Sequence, residues 1–359
     1  MLPESIRNTA ENMFQDAAQT YDAILIVSFG GPEGLQDVMP YLENVLAGKN
    51  IPQARMKEVV HHYKLFDGVS PLNAQNRALI AELTKAIEKA GLDLPIYWGN
   101  RNWHPFLLDT MQQMLNDGVG RVLAFFTSAY STYSSCHQYW QDIGRVQAQM
   151  GEAAPHVDKI RAFYNHPGFI EANVEHLNQA LQQIAEARRD AAKLIFTAHS
   201  IPCAMAENSD YVKQLEETSR LVAAGIGRDD WALVYQSRSG PPHQAWLGPD
   251  IGAYLQALKA QNPDLQDVIV MPIGFISDHM EVLFDLDIEA KERADELGMN
   301  LVRPATVGTH PAFVNMIVEL IQERRAANPK RRFLGSYGPS HDLCGATCCQ
   351  YQPERPTCI

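Results

Sequence analysis

The sequence has no apolar run long enough to cross a bilayer. Its longest apolar stretches, such as 23–27 and 122–126, are the length of a strand, whereas a spanning helix needs about 20 such residues. It is short of positive charge: 30 Lys and Arg stand against 42 Asp and Glu, a net charge of -12. That argues against nucleic acid or an anionic membrane as the main partner, because both require a basic face. The phosphate-binding fingerprint G-x-G-x-x-G is missing after the first apolar run, which reads Gly30-Gly31-Pro32-Glu33-Gly34 instead, and this counts against a nucleotide-binding enzyme. The first residues carry Glu4, Glu11 and Asp16 without a long apolar core, so no secretory signal is expected. That also counts against a periplasmic-type carrier. The chain is expected to work in the cytoplasm as a monomer. No internal repeat and no long low-complexity segment stands out.

Cysteine is sparse in the body of the chain, where only Cys136 and Cys203 occur, yet Cys344, Cys348, Cys349 and Cys358 crowd into the end. In a long chain without a secretory signal, a terminal cysteine cluster suggests metal or redox chemistry rather than a disulfide scaffold. What is present otherwise is ordinary for a globular protein: 359 residues, 46% hydrophobic and 20% charged, enough for two domains with sizeable cores.

Short apolar runs alternate with amphipathic stretches. The pattern predicts strands at 23–27, 95–98 and 121–126, with helices at 78–90 and 106–115, then restarts. Strands are expected at 193–197, 232–236, 267–272 and 300–303, with helices at 174–188, 210–224, 251–261, 283–298 and 311–326. Such a β-α-β-α rhythm implies parallel sheets covered by helices. The expected fold class is α/β, with two doubly wound halves: an N-terminal domain 1–165, a C-terminal domain 166–335, and a cysteine-rich tail 336–359.

Ligands of open α/β sheets bind beyond the carboxyl ends of strands, so the polar residues just after each strand are the candidates. His199 follows one buried run; it can point into a crevice or cap the next turn, and position alone leaves both roles open. Glu281, Asp285 and Glu289 follow another at i, i+4, i+8 on one predicted helical face. Like charges at this spacing repel, so the row suits a track of oxygen ligands for a hydrated cation, or a solvated face. The loop 130–140 interleaves Tyr130, Tyr133 and Tyr139 with hydroxyls, which suits a large flat ligand with polar edges, or tyrosines packed on a domain edge. Arg238, in a loop stiffened by Pro241 and Pro242, can pair with a carboxylate or lie on the surface.

Taken together these segments resemble the ferrochelatase family along nearly the whole chain. Ser28–Gly34 resembles its first strand-loop, Gly68-Val69-Ser70-Pro71-Leu72-Asn73 its substrate loop, Phe196–Pro202 its histidine motif, and Phe275–Asp287 (FISDHMEVLFDLD) its glutamate motif. Trp98–Pro105 resembles the actinobacterial type. The resemblance implies a porphyrin in the cleft between the two halves, with His199 and Glu281 on the side where Fe²⁺ is inserted and Asp285 and Glu289 on the metal's path. It implies Ser70, Tyr130 and Tyr139 as porphyrin contacts, and Arg238 is added as a carboxylate partner. Where some bacterial members carry a metal-facing Tyr, this chain has Phe29, which cannot ligate; an oxygen reaching iron from the far face would have to come from Tyr130, Tyr133 or Tyr139. The actinobacterial type implies coproporphyrin III, with four propionates, rather than protoporphyrin IX, with two. A sirohydrochlorin or cobalt chelatase is the nearest alternative of the same fold. The resemblance also implies a [2Fe–2S] cluster, which needs four ligands: Cys136 from the body and Cys344, Cys348 and Cys349 from the tail, with Cys358 left over.

Overall fold

The computed structural model describes residues 18–47, 53–241, 243–345 and 348–351. Its core is two four-stranded parallel sheets of the same topology. The first is β1 (Ala23–Ser28), β2 (Ile96–Asn100), β3 (Arg121–Phe126) and β4 (His156–Lys159), ordered β2-β1-β3-β4. The second is β5 (Lys193–His199), β6 (Trp231–Gln236), β7 (Asp267–Met271) and β8 (Asn300–Val302), ordered β6-β5-β7-β8. In each, the first strand lies in the middle, so the winding reverses beside β1 and beside β5. Those reversals are the two switch points where such sheets open a crevice.

The helices are α1 (Leu35–Leu46), α2 (Gln53–Lys64), α3 (Leu72–Lys89), α4 (Leu107–Asn116), α5 (Gln138–Met150), α6 (Pro167–Leu181), α7 (Tyr211–Gly225), α8 (Ile251–Gln261), α9 (Lys291–Glu296) and α10 (Pro311–Arg325). Strands buried on both faces read as near-continuous apolar runs, which is why β1 is AILIVS. Alternate side chains of β1 serve different cores: Ile24 and Ile26 face a core that runs through both sheets, while Ala23, Leu25 and Val27 pack under α4 and α5. Among the described residues no helix is long and apolar enough to cross a membrane.

A correspondence that the sequence reading missed ties the halves together. His166-Pro167-Gly168-Phe169 begins α6 and His310-Pro311-Ala312-Phe313 begins α10, and in each the His Nδ1 accepts the N–H two residues on, at 3.2 Å. A neutral imidazole thus caps each helix, with Pro at its first position. The helices pack on each other at their starts; a Cβ on Gly168 would stand 2.6 Å from the Ala312 carbonyl, so a larger residue there would push the helices apart. Phe163, Phe169 and Phe313 close the joint, with ring centroids 5.6–6.2 Å apart.

Candidate metal-insertion site and cysteine centre

His199 is the last residue of β5 and pairs with Gln236 at the end of β6. Its Nδ1 lies against the Ser200 carbonyl, which fixes the Nδ1–H tautomer and leaves the Nε2 lone pair for the crevice. Nε2 stands 3.5 Å from a carboxylate oxygen of Glu281. Tyr211 donates to the His199 carbonyl at 3.0 Å, and Ser200 donates through Oγ to Leu247 at 2.7 Å; these bonds hold the strand end. Gly274 lets the loop after β7 pass under β5, since a Cβ there would come 2.7 Å from that of Ala198. Burial pulls the His199 imidazole down, but the hydrogen bond and charge of Glu281, the Ser200 carbonyl and Asp285 outweigh it, and the net direction is up.

Glu281 lies in the first turn of the helix that follows, where the dipole favours a carboxylate. That helix widens at once into a π-helical segment, Leu283–Ala290, a geometry frequent at functional sites. Asp285 and Glu289 sit on it. Asp285 accepts from Ser237 Oγ and, at 3.3 Å, from Gln236 Nε2. Ser237 adopts a left-handed backbone, φ 59°, to present that hydroxyl, an uncommon conformation for serine. Burial pushes the Asp285 carboxyl up to about 7; Glu281 and Glu289 push the same way, against the Ser237 hydrogen bond. Asp285 thus feels the charges of Glu281 and Glu289, on a segment that is π- rather than α-helical. Arg303 clamps the base of the segment, holding Asp287 through two nitrogens at 2.5 and 2.8 Å and Asp278 at 3.1 Å.

The first half closes over this row. Gln75 accepts from the Asp278 amide at 2.8 Å, and His62 stacks on Phe284 at 3.7 Å. Tyr41 and Tyr63, with Phe29 and Trp103 beside them, share an apolar cluster with Met280 and Phe284. Burial and then the charge of Glu281 push the Tyr63 phenol up. Next to them Arg101, ion-paired with buried Asp142, lies over the Tyr139 ring at 4.8 Å and over Phe29 at 5.7 Å.

Other expected contacts are placed differently. Tyr139 is buried, stacked on Phe126 at 5.4 Å and facing Arg101. Tyr130 is buried in the joint between the halves and donates to the Ile273 carbonyl at 2.7 Å. Tyr133 donates to Gln141 and leans on Tyr351 of the tail. Ser70 is buried beneath Gly31, whose missing Cβ would come 2.7 Å from that of Ser70. Arg238 turns back on its own loop, donating to the Pro241 and Gln244 carbonyls at 3.0 Å. The structure thus brings His199, Glu281, Asp285 and Glu289 together, sets Tyr139 near the crevice through Arg101, and leaves Tyr130 and Arg238 bonded elsewhere. Tyr63 was missed in the sequence, and Arg101, within the Trp98–Pro105 motif, and Ser237, next to Arg238, were not singled out although the motifs contain or adjoin them.

The tail returns to the first half. Asn165 accepts from the Leu334 amide at 2.9 Å and donates to the Gly338 carbonyl at 2.8 Å. Asp342, buried, pairs with Arg331 and, at 3.5 Å, with Arg324. So held, the tail brings Cys344 near enough to Cys136 and to Cys348 for the thiols to act on one another. Cys348 Sγ lies 3.7 Å from Cys349 Sγ. His341 Nε2 lies 3.8 Å from both Cys344 and Cys348, so His341, Cys344 and Cys348 also form a possible metal-ligand group. An iron–sulfur cluster requires four ligands, and by donor chemistry these cysteines suit one, although the ligand atoms that lie within 4.8 Å of one another are those of His341, Cys344 and Cys348. Contact with Cys136 and Cys348 pulls the Cys344 thiol down, as expected where one thiolate is shared among thiols. Cys358 lies outside the described residues.

Two facing parallel sheets with a histidine–carboxylate pair at the switch point define the chelatase fold class. The same fold appears in SirB from Bacillus subtilis, solved with Fe3+, at a TM-score of 0.50 and 12% identity, over 86% of this chain and 96% of that one. The profile of the family described as Ferrochelatase matches residues 21–325, and the chain belongs to that family. It is 54% identical to a ferrochelatase of Rhodopirellula baltica over 94% of this chain and 95% of that protein. It is 46% identical to the coproporphyrin III ferrochelatase of Streptomyces coelicolor, over 94% and 96%, and 47% identical to that of Nocardia farcinica, over 93% and 98%. The chain is accordingly an enzyme, a lyase of haem biosynthesis that inserts Fe²⁺ into a porphyrin.

Proposed function

We propose that this enzyme metallates coproporphyrin III to coproheme III, with His199 and Glu281 performing the exchange of protons for iron. The observation that carries the roles is the 3.5 Å approach of His199 Nε2 to Glu281 at the switch point of the second sheet. Two pyrrole N–H protons must leave as the metal enters. A base beside the ring is needed, and the Nδ1–H tautomer offers Nε2 as that base. Glu281, at its side, receives the proton or binds the incoming cation through oxygen. Asp285, poised near neutrality, relays protons outward and, with Glu289, draws Fe²⁺ inward. Of the expected porphyrin contacts, Tyr139 is kept as a wall of the cleft. Ser70 packs under the first loop and Tyr130 in the joint between the halves, and Arg238 shapes its own loop. The enzyme acts in the cytoplasm as a monomer.

Coproporphyrin III is favoured over protoporphyrin IX by the relatives from Streptomyces coelicolor and Nocardia farcinica, whose names specify it. Its four propionates give a polar cleft more charge-assisted contacts than two. Purified enzyme, supplied anaerobically with Fe²⁺ and each porphyrin side by side, should show the higher kcat/KM with coproporphyrin III. A higher value with protoporphyrin IX reverses the substrate.

We further infer that Cys136, Cys344, Cys348 and Cys349 hold a [2Fe–2S] cluster. When bound, such a group supplies one-electron chemistry and a covalent tie between tail and body. The support is the return of the tail cysteines toward Cys136 and the buried ion pairs that seat the tail; His341 is the rival ligand.

A further inference from the structure

The edge strand of the first sheet ends in a cation that the insertion chemistry does not use. Lys159 is the last residue of β4, and its side chain is enclosed, 8% exposed. Among the described residues no carboxylate forms an ion pair with it. The one acid that acts on it, Asp342, is engaged by Arg331 and Arg324. The other groups whose charge would reach it are the sulfurs of Cys136, Cys344 and Cys348. Lys159 and Cys136 also line one small cavity, with Ser128, Tyr130 and Ser135. Burying an ammonium without an anion is costly, and a long flexible lysine at a sheet edge would ordinarily reach water. Its enclosure makes sense when the sulfurs beside it carry negative charge.

Two residues on, Arg161 is also enclosed, 1% exposed, and grips Glu323 at 2.7 Å and the Arg332 carbonyl at 2.9 Å. Arg161 lies just past the end of the strand, on the segment that leads out of it. The edge therefore presents two buried cations to the returning tail: Arg161 to the segment before the cysteines and Lys159 to the cysteines themselves.

We propose that Lys159 is the counter-cation of the cysteine centre, lowering the energy of its anionic sulfurs and holding its reduction potential up. This rests on the [2Fe–2S] reading. A cluster with four thiolates is a dianion when oxidised and a trianion when reduced, so an adjacent fixed positive charge favours the reduced form. Lys159 acts on the centre through space and is a positioning and tuning residue rather than a ligand.

The test compares the whole enzyme with Lys159→Met, which keeps the length without the charge, and Lys159→Arg, which keeps the charge. Iron and acid-labile sulfide are assayed first, then the midpoint potential is measured by anaerobic titration with dithionite and mediators, followed by EPR. The expected result is that Lys159→Met lowers the reduced-to-oxidised ratio at a fixed potential at least tenfold, about 59 mV for one electron, while Lys159→Arg stays within about threefold of wild type. If Lys159→Met cannot retain the cluster, retention by Lys159→Arg alone still assigns the role to charge. Loss in both variants alike, or an unchanged potential in Lys159→Met, overturns the proposal and leaves the cluster standing. Wild-type enzyme without iron and sulfide overturns both.

Discussion

Asp285 hangs from the hydroxyl of Ser237, a residue at the end of a neighbouring strand and itself in a left-handed conformation. That bond joins β6 to the π-helical segment and sets the middle carboxylate of the row between Glu281 and Glu289. Burial raises Asp285 to about 7, so its charge switches on within the working pH range. The apparent KM for Fe²⁺ should fall as pH rises through about 7, because the charged row attracts a divalent cation more strongly. Asp285→Asn with Glu289→Gln should flatten that dependence and raise the KM for iron several-fold, with little change for porphyrin. An iron dependence that ignores both substitutions would make the row a solvated face.

The same carboxylate has a stability signature of the opposite kind. A carboxyl raised from 3.8 to about 7 in the folded state binds a proton more readily than it does unfolded. Its favourable contribution is full below 3.8 and is lost as pH rises through 7. Asp285→Asn should therefore stabilise the enzyme at pH 8 by about 2–4 kcal/mol while impairing it. Denaturant unfolding at pH 8 and pH 5 checks this: the gain should appear at pH 8 and be smaller at pH 5.

His166 gives the reverse sign. Burial first, and then Arg161 and Arg332, push its imidazole down to about 3, and its Nδ1 is occupied in capping α6. Above about 6.5 the histidine is neutral in both states; below it the unfolded chain takes up a proton that the folded protein refuses. Stability should fall as pH drops from 6.5 toward 3, by about 2 kcal/mol from this residue by pH 5. His166→Asn, which can cap without titrating, should reduce that slope in urea unfolding at successive pH values.

The cysteine centre makes a colour prediction. Anaerobically purified enzyme should absorb in the visible without porphyrin and contain two irons and two sulfides per chain. Cys136→Ser should bleach it, whereas Cys358→Ser should not. Bleaching by His341→Ala with colour retained in Cys349→Ser would exchange those two ligands.

Much of this was legible from the sequence, and the exceptions have physical causes. Buried parallel strands such as β1 and β3 announce themselves as apolar runs, and the polar residues after β5 and β7 mark the crevice. The edge strand β4 reads HVDK and escaped notice because its inner positions carry the charges of Asp158, paired with Arg121 at 2.7 Å, and of Lys159. Helix α1 was hidden by Pro40 within it, and the start of α3 by Pro71 just before Leu72. The likeness of the two His-Pro starts became meaningful only when the helices were seen in contact. Tyr130 and Arg238 show the limit from the other side: residue type and loop position nominate a ligand contact, but the hydroxyl of one and the guanidinium of the other already serve backbone carbonyls. Which of these uses a polar group finds depends on tertiary neighbours that spacing does not encode.

His199 and Glu281 are proposed to perform the metal exchange together. Anaerobic stopped-flow absorbance with Fe²⁺ and coproporphyrin III, on wild type, His199→Ala and Glu281→Gln, tests it most directly, with circular dichroism and thermal unfolding as controls for the fold. Neither side chain fills the core: Glu281 is 55% exposed and His199 32%, so both variants should fold. Each should lose at least about 10²–10³-fold in insertion rate, the scale of a missing acid–base group, while still binding porphyrin. Turnover near that of wild type in either variant would show that the pair does not carry the exchange.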